Sequence, residues 1–290
     1  MLSLRHGFAP YIVIAFLAIT LLFLCLELHR FRWATLLPAV PAILAFVIAL
    51  GVMQSNAVGT VQVHYSAAEG RDSLTLSRVQ GGMICDVAGS TASELLSDWY
   101  ALQERGVTEL ETLMLTDYRM QTPTALAVFS EHVIVRSLLL PEPLYPEDYT
   151  VQEQILAWAV SEEIPTVHYR YGQPFTLFGE GTMRVCMPLY ESRSTLPALR
   201  IYMQMGSASL AFESCAYGEY ARHLGKEERP LSDYLILGIA GPIPREAIRT
   251  AGAREGGTVI AGRKEALPQL DICKERYYFF VPRGWSVCLR

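Results

Sequence analysis

Lysine is scarce in this 290-residue chain: only 3 of its 24 basic residues are lysines, and the net charge is −5. Charged residues make up 18% of the sequence, whereas soluble globular proteins have about 25%. Low charge together with 51% hydrophobic residues excludes an intrinsically disordered chain and argues against a polycationic nucleic-acid binder. The mean hydropathy of +0.23 is too high for an ordinary soluble enzyme and indicates a concentrated apolar segment.

Several catalytic motifs are also absent. The sequence has no G-x-S-x-G nucleophile elbow, no phosphate-binding P-loop and no C-x-x-C pair. Six cysteines are scattered along the chain, with Cys85 beside Asp86 and Cys215 near Glu213. Because a neighbouring carboxylate raises the pKa of a thiol, we expect buried free cysteines rather than reactive ones. A disulfide stays open as an alternative if the domain is extracytoplasmic.

Two uncharged apolar runs lie at the start of the chain, residues 7–26 and residues 33–53. About 20 residues of helix cross a hydrocarbon core of about 30 Å, and only a helix satisfies its own backbone groups there. The charged residues 27–32 between the runs allow only a tight turn. No small-residue cleavage site follows the first run, which argues against a signal peptide followed by a buried core helix. We therefore predict a transmembrane helical hairpin over residues 1–58.

The flanking charges give the expected orientation. Arg30 and Arg32 lie in the turn, whereas Arg5 and the amino terminus precede the first span, so these signals oppose each other. The chain after the second run carries 21 basic and 28 acidic residues, which favours an extracytoplasmic location. We expect a multi-pass protein of the cell membrane that contacts membrane lipid and holds its large domain outside the cytoplasm.

Residues 59–290 are predicted to form one α/β (α+β) domain in which strands and helices alternate. Short β-type runs at 60–65, 73–78 and 83–85 precede an amphipathic helix at 91–104, which Gly106 ends. Further strands are predicted at 110–115, 132–140, 166–171, 181–187, 199–205, 208–213 and 234–239, with helices at 122–129, 151–160 and 216–224. This order favours an αββα sandwich, in which two mixed sheets face each other and helices lie outside.

Three short segments follow the apolar runs in a recognisable order. They are residues 69–73 (Glu-Gly-Arg-Asp-Ser), residues 83–86 (Met-Ile-Cys-Asp) with Gly89 after them, and residues 113–117 (Leu-Met-Leu-Thr-Asp). The order resembles the C-terminal part of ComEC-type competence DNA-uptake channels, whose last membrane helices lead into a metallo-β-lactamase-like domain. The resemblance covers nearly the whole chain and implies that fold for residues 59–290, together with a link to DNA internalisation.

The metal-binding loop of that superfamily is altered in this chain. There, a T-H-x-D-x-D-H loop after a buried strand holds metal ions that activate a water molecule. The matching loop here is residues 116–122, with Asp117, Arg119, Gln121 and Thr122 at the ligand positions. Arg119 beside Asp117 favours a structural ion pair over a metal site.

The other motifs of the family are altered in the same way. Asp72 and Asp86 match aspartates of the first two motifs, but Cys215 stands where the family has a bridging carboxylate. Ile239 and Ala240 stand where the family has two histidines. The resemblance therefore implies a backbone that has been kept and a metal centre that has been lost.

The histidine content supports the same expectation without any family. No two of the four histidines that follow the apolar runs lie within six residues of each other; they are His64, His132, His168 and His223. Divalent-metal sites usually include at least one pair of ligands that are close in sequence. We expect no metal and no cofactor.

The most basic stretch is residues 244–264, with a net charge of +3. Its basic side chains are candidate DNA contacts, because phosphate binding requires clustered positive charge; they are Arg245, Arg249, Arg254, Arg263 and Lys264. An ordinary solvated face is the alternative interpretation. The triplet Tyr169-Arg170-Tyr171 has the composition to stack on a base, or lies in a strand with one face buried.

The sequence therefore predicts a membrane-anchored, catalytically inactive domain that acts as a structural or DNA- or partner-binding module. Two helices cannot line a DNA pore, so we expect a channel-forming membrane protein as partner. One alternative is an active metal-dependent nuclease or phosphodiesterase with an unorthodox carboxylate site around Asp117, Asp86 and Glu213, with Asp72 nearby. A second alternative is a membrane-anchored sensor or assembly factor unrelated to DNA.

Overall fold

The computed structural model describes the second part of the chain. The described residues are 60–66, 72–78, 81–86, 90–119, 122–179, 181–186, 199–214, 232–238, 253–261, 277–280 and 285–289. The hairpin predicted for residues 1–58 lies outside these ranges. Among the helices within them, none has the length and apolar character needed to cross a membrane.

The described residues form strands and three helices. The helices are α1 (Ala92–Gln103), α2 (Thr122–Ser130) and α3 (Pro146–Ser161). The strands are β1 (Val61–Ser66), β2 (Ser73–Arg78), β3 (Gly81–Asp86), β4 (Glu109–Leu115), β5 (Leu138–Pro141), β6 (Thr166–Tyr169), β7 (Pro174–Leu177), β8 (Gly181–Val185), β9 (Leu199–Met205), β10 (Ala208–Ser214), β11 (Ser232–Leu237), β12 (Ala253–Ala261), β13 (Tyr277–Phe280) and β14 (Trp285–Leu289).

These strands form two mixed sheets of seven strands each. The first sheet has the order β14-β1-β2-β3-β4-β5-β6, and the second has the order β13-β12-β11-β10-β9-β8-β7. In the first sheet β3 to β6 run parallel, while β14, β1, β2 and β3 pair antiparallel. In the second, β10 to β13 run parallel and β7 to β10 pair antiparallel. The chain therefore crosses from one sheet to the other through the β6–β7 turn and returns to the first sheet with β14.

A hydrophobic core fills the space between the two sheets. In β1 the side chains of Val61, Val63 and Tyr65 are buried and Gln62 is exposed, as the period of a half-buried strand requires. The core contains side chains of both sheets, including Leu76 of the first and Phe212 of the second. The two sheets are therefore packed face to face.

A second core lies between the first sheet and the three helices. Ile84, Leu113 and Leu138 of the sheet pack there with Leu95 of α1 and Phe129 of α2. Because neighbouring residues of a strand point to opposite faces, β3 supplies Met83 to one core and Ile84 to the other. The described residues thus form a layer of helices on one face of a sheet-on-sheet sandwich.

The predicted sandwich of helices and two mixed sheets is confirmed for these layers. Helix α1 ends one residue inside its predicted range, and Gly106 after it has a φ of +89°, which suits a glycine at a helix end. Thr91 precedes the helix, and its N–H donates to the Glu94 carboxylate at 2.6 Å. The helix predicted for residues 216–224 lies outside the described residues.

The strand predicted for residues 132–140 was too long. The structure has β5 at Leu138–Pro141, preceded by a turn and an isolated bridge between Val135 and Leu110. Val133 and Val135 are buried while Ile134 is 77% exposed. Buried and exposed side chains therefore alternate here as they do in a strand, although the segment is a connection. The helix predicted at residues 151–160 was too short, because α3 begins at Pro146, a residue that suits a first helical turn.

Candidate functional site

The carboxyl ends of the parallel strands meet at one edge of the sandwich. β3 and β4 of the first sheet end there in Asp86 and Leu115, and β11 of the second sheet ends there before Gly238. The two sheets touch at this edge, because a Cβ added to Gly238 would collide with the Asp72 carboxylate. We call this edge the rim and define it by Asp72, Asp86, residues 116–119 and Gly238. Carboxyl ends of parallel strands are where open α/β folds place their ligands.

The aspartate and serine of the first motif both have structural partners. The Tyr65 hydroxyl donates to Oδ1 of Asp72 at 2.7 Å, in a buried position. The Ser73 hydroxyl donates to Oδ1 of Asp98 in α1 at 2.5 Å. Asp72 therefore supports the contact between the sheets, and Ser73 attaches α1 to the first sheet.

Asp86 and Thr116 form the next part of the rim. Oδ1 of Asp86 accepts hydrogen bonds from the Ser90 N–H at 2.8 Å and the Ser90 hydroxyl at 2.7 Å. The Thr116 hydroxyl donates to the backbone carbonyl of Asp86 at 2.6 Å. Both residues are buried, so these bonds fix the end of β3 against the end of β4.

Two tyrosines hold the segment that follows β4. The Tyr169 hydroxyl donates to the Leu115 carbonyl at 2.9 Å, and the Tyr171 hydroxyl donates to the Thr116 carbonyl at 2.8 Å. Tyr169 is buried in β6 and Tyr171 is half-buried in the turn after it. The interpretation of this triplet as part of a half-buried strand is therefore confirmed for Tyr169, while the exposed Arg170 pairs with Glu142 at 2.6 Å.

Asp117 and Arg119 form a buried ion pair at the rim. Nε of Arg119 lies 2.7 Å from Oδ2 of Asp117, and their side chains are 13% and 2% exposed. The predicted structural ion pair is confirmed. Thr122, where the resemblance places the last histidine ligand, begins α2; its buried hydroxyl has no hydrogen-bond partner among the residues that the structure describes.

The described rim residues do not fit a divalent metal ion. Each of the three carboxylates, on Asp72, Asp86 and Asp117, already accepts from a phenol, a hydroxyl or a guanidinium. In the described ranges, no group of three or more histidine, cysteine, aspartate or glutamate side chains is placed to hold a metal. The neutral Thr122 hydroxyl adds a single weak oxygen, whereas such ions require several converging ligands.

Glu213 does not converge with the rim aspartates. Its neighbour Phe212 faces the core between the sheets, so the alternation of β10 turns Glu213 to the outer face of the second sheet. There Oε1 of Glu213 lies 2.9 Å from Nε of Arg200, which is opposite it on β9. The carboxylate site suggested for Asp117, Asp86 and Glu213 is therefore not formed by the described side chains.

The described histidines are also away from the rim. Nδ1 of His64 lies 2.7 Å from the Ser286 hydroxyl, and burial lowers the pKa of His64 to about 4, so its imidazole is neutral at neutral pH. His132 lies in the turn after α2, at the opposite edge, and His168 is exposed in β6. None of these three histidines adds a ligand to the rim aspartates.

Cys85 has the inert character that its sequence position indicates. It is fully buried between the sheets, and burial, followed by the nearby Asp86 and Asp98 carboxylates, raises the pKa of its thiol well above the usual range. The thiol therefore stays protonated and is a poor nucleophile. Burial similarly raises the pKa of the Tyr118 phenol, whose hydroxyl donates to the Pro141 carbonyl at 2.6 Å.

Several predicted site positions lie outside the described residues. These are Gln121, Cys215, Ile239 and Ala240 of the altered motifs, and Arg245, Arg249, Arg263 and Lys264 of the candidate DNA contacts. Arg254 lies within β12, in a stretch between Ala253 and Thr258 where the register with β11 shifts. The replacement of metal ligands at these motif positions and the DNA contacts at these basic residues therefore stay predictions.

A polar cluster on the outer face of the second sheet was not predicted from the sequence. Arg184 of β8 lies over the Tyr202 ring of β9, with its guanidinium carbon 4.9 Å from the ring centroid. Arg200 and Tyr202 alternate along β9 with core residues such as Ile201. That alternation is present in the sequence and was the signal from which this cluster could have been predicted.

Comparison with known proteins gave matches in structure alone. No family model matches the chain, and no curated protein matches it either. The structure of Igni18, a metallo hydrolase from Ignicoccus hospitalis, is 11% identical, with a TM-score of 0.44, over 80% of this chain and 99% of that one. Zn²⁺-bound PqqB from Methylobacterium extorquens is 10% identical, with a TM-score of 0.45, over 79% and 99%.

A diphosphatase of the PhnP family is a third such structure. It is 11% identical, with a TM-score of 0.43, over 80% of this chain and all of that chain. At identities and TM-scores this low the likeness supports no conclusion, and the fold is established by the strand order and the two cores.

Proposed function

We propose that the chain is a membrane-anchored, metal-free and catalytically inactive metallo-β-lactamase-like domain. In this proposal it is related to competence DNA-internalisation proteins and acts as a structural or DNA- or partner-binding module. Support for the fold comes from two mixed sheets whose parallel strands end at a shared rim, with helices on the outer face of the first sheet. Support for the family link comes from the order of the sequence segments at that rim.

The observation that carries the proposal is the ion pair between Asp117 and Arg119. The resemblance places metal ligands at both positions, and here a guanidinium lies 2.7 Å from the carboxylate. A cation attached to the chain thus neutralises the charge that a metal ion would otherwise neutralise. Because the pair is buried, adding a divalent ion beside Arg119 would bring two positive groups together in a region of low dielectric.

The proposed setting is the cell membrane. Residues 1–58 anchor the chain as a helical hairpin, and the large domain lies outside the cytoplasm. A separate channel-forming membrane protein completes the pore, because two helices cannot line one. Co-purification in mild detergent tests this partner, and a chain that elutes alone as a monomer would contradict it.

The test of catalytic inactivity combines metal analysis with digestion of single-stranded DNA by the full-length chain. We expect less than one bound metal ion per chain and no cleavage with added Zn²⁺, Mn²⁺ or Mg²⁺. The decisive variant is Asp117→Ala, and Glu109→Ala at the opposite edge is its matched control, because Glu109 is an exposed carboxylate. Metal-dependent cleavage that Asp117→Ala abolishes and Glu109→Ala preserves would establish the nuclease alternative and refute this proposal.

Binding of DNA is tested separately by its salt dependence. The proposal expects measurable binding of a single-stranded oligonucleotide at low ionic strength that weakens steeply as salt is added. A chain that binds no DNA even at low ionic strength would refute the DNA link and favour a sensor or assembly factor.

A further inference from the structure

A polar cleft lies on the outer face of the second sheet, away from the core between the sheets. It has a volume of about 510 Å³ and is bounded by β8, β9, the segment after β5 and the β6–β7 turn. Its lining includes Arg170, Arg184, Arg200, Tyr171 and Tyr202. The volume lies within the range of about 300–1,000 Å³ that is usual for small-molecule sites.

Three arginines line this cleft, and they differ in how their charges are balanced. Arg200 is buried and paired with Glu213 at 2.9 Å, and Arg170 is paired with Glu142 at 2.6 Å. Arg184 makes no ion pair with any described carboxylate. Among the described side chains, the cleft therefore has an excess of positive charge, and that excess is located on Arg184.

The guanidinium of Arg184 lies over an aromatic ring. Its guanidinium carbon lies 4.9 Å from the centroid of the Tyr202 ring, which holds the planar group by a cation–π interaction. When a guanidinium stacks with its plane parallel to such a ring, its N–H donors lie in that plane and remain free to bind an anion. A stacked arginine is thus pre-ordered to donate two parallel hydrogen bonds to one anion.

We propose that this cleft binds a phosphate group through Arg184. The planar fork of an arginine matches two oxygens of a phosphate, and Arg184 is the arginine of this cleft that has no ion pair with a described carboxylate. The phosphate comes either from a free phosphate anion or from a phosphodiester of single-stranded DNA. The second source rests on the proposed DNA link, whereas the first does not depend on it.

The experiment measures binding of two probes to the full-length chain purified in mild detergent. Inorganic phosphate is titrated by calorimetry at constant ionic strength, and a labelled oligodeoxythymidine is titrated by fluorescence anisotropy at several salt concentrations. The test variant is Arg184→Gln. The matched control is Arg136→Gln, which removes one positive charge from an exposed arginine paired with Glu109.

We expect Arg184→Gln to weaken binding of at least one probe about tenfold, and Arg136→Gln to leave it unchanged. For the oligonucleotide, loss of one phosphate contact should also reduce the slope of log affinity against log salt by about 0.7. Thermal unfolding of Arg184→Gln is measured in parallel to verify that the variant is folded.

The outcomes separate the two proposals. Phosphate binding that needs Arg184, without any DNA binding, supports the cleft and counts against the DNA link. Oligonucleotide binding that Arg184→Gln and Arg136→Gln weaken equally would refute the cleft while leaving the DNA link intact. Absence of binding to both probes would refute the cleft.

Discussion

Two buried ion pairs among the described residues differ in how the chain brings their partners together. Asp117 and Arg119 are two residues apart in the segment after β4, and Nε lies 2.7 Å from Oδ2. Arg200 and Glu213 are thirteen residues apart and face each other across β9 and β10, with Nε 2.9 Å from Oε1. The first pair depends on one short segment, whereas the second depends on the register of two paired strands.

This difference determines how each site can respond when a partner is removed. A carboxylate at the end of a strand can turn towards water by a small movement of its own segment. The backbone that carries Glu213 is fixed by its pairing with β9, so this carboxylate can reach water only by rotation of its own side chain. The outer face of the second sheet should therefore tolerate the loss of a charge less well than the rim does.

The largest effect is expected from Arg200→Met. This variant leaves Glu213 buried without its ion-pair partner, and we expect the free energy of unfolding to fall by about 3–5 kcal/mol. The double variant Arg200→Met with Glu213→Leu should recover most of that loss, because an apolar pair can replace a buried ion pair at little cost. Denaturant unfolding of the full-length chain checks both. A double variant as unstable as the single one would show that packing of Arg200, not its charge, matters there.

The contrast between the pairs also explains what could be predicted from the sequence. The Asp117–Arg119 pair was predictable because proximity in sequence guarantees proximity in space. The strands at 199–205 and 208–213 were predicted too, but their register was not used. The hairpin turn at Gly206 and Ser207 sets Met205 opposite Ala208, and counting back from that turn places Arg200 opposite Glu213.

Other parts of the site required tertiary information. The Tyr169 and Tyr171 hydroxyls donate hydrogen bonds to backbone carbonyls more than fifty residues earlier in the chain. No local sequence pattern predicts such bonds. The close approach of Gly238 to Asp72 likewise depends on how two separate sheets meet. Periodicity therefore predicted the strands and the layers, and it could not predict the contacts that join the sheets at the rim.

That junction gives the second prediction, Gly238→Ala. An added Cβ would collide with Oδ2 of Asp72, whose carboxylate is buried and held by Tyr65, so we expect a loss of about 1–3 kcal/mol of unfolding free energy. The matched control is Gly81→Ala, where the collision is with the partly exposed end of the Glu111 side chain, which can move away. Equal losses in the two variants, measured by denaturant unfolding, would mean that the sheets are not tightly joined at the rim.

The smallest effect is expected at the rim pair, from Arg119→Gln. Asp117 loses its cation, but it lies in a segment that follows a strand, and the Arg119 side chain is already 13% exposed. We expect a loss of about 1 kcal/mol, well below that of Arg200→Met. Arg136→Gln is the control with no expected loss, since its pair with Glu109 is exposed on both sides at 3.5 Å. If Arg119→Gln cost as much as Arg200→Met in the same unfolding assay, the rim would be as rigid as the paired strands. The distinction between a local and a cross-strand pair would then fail.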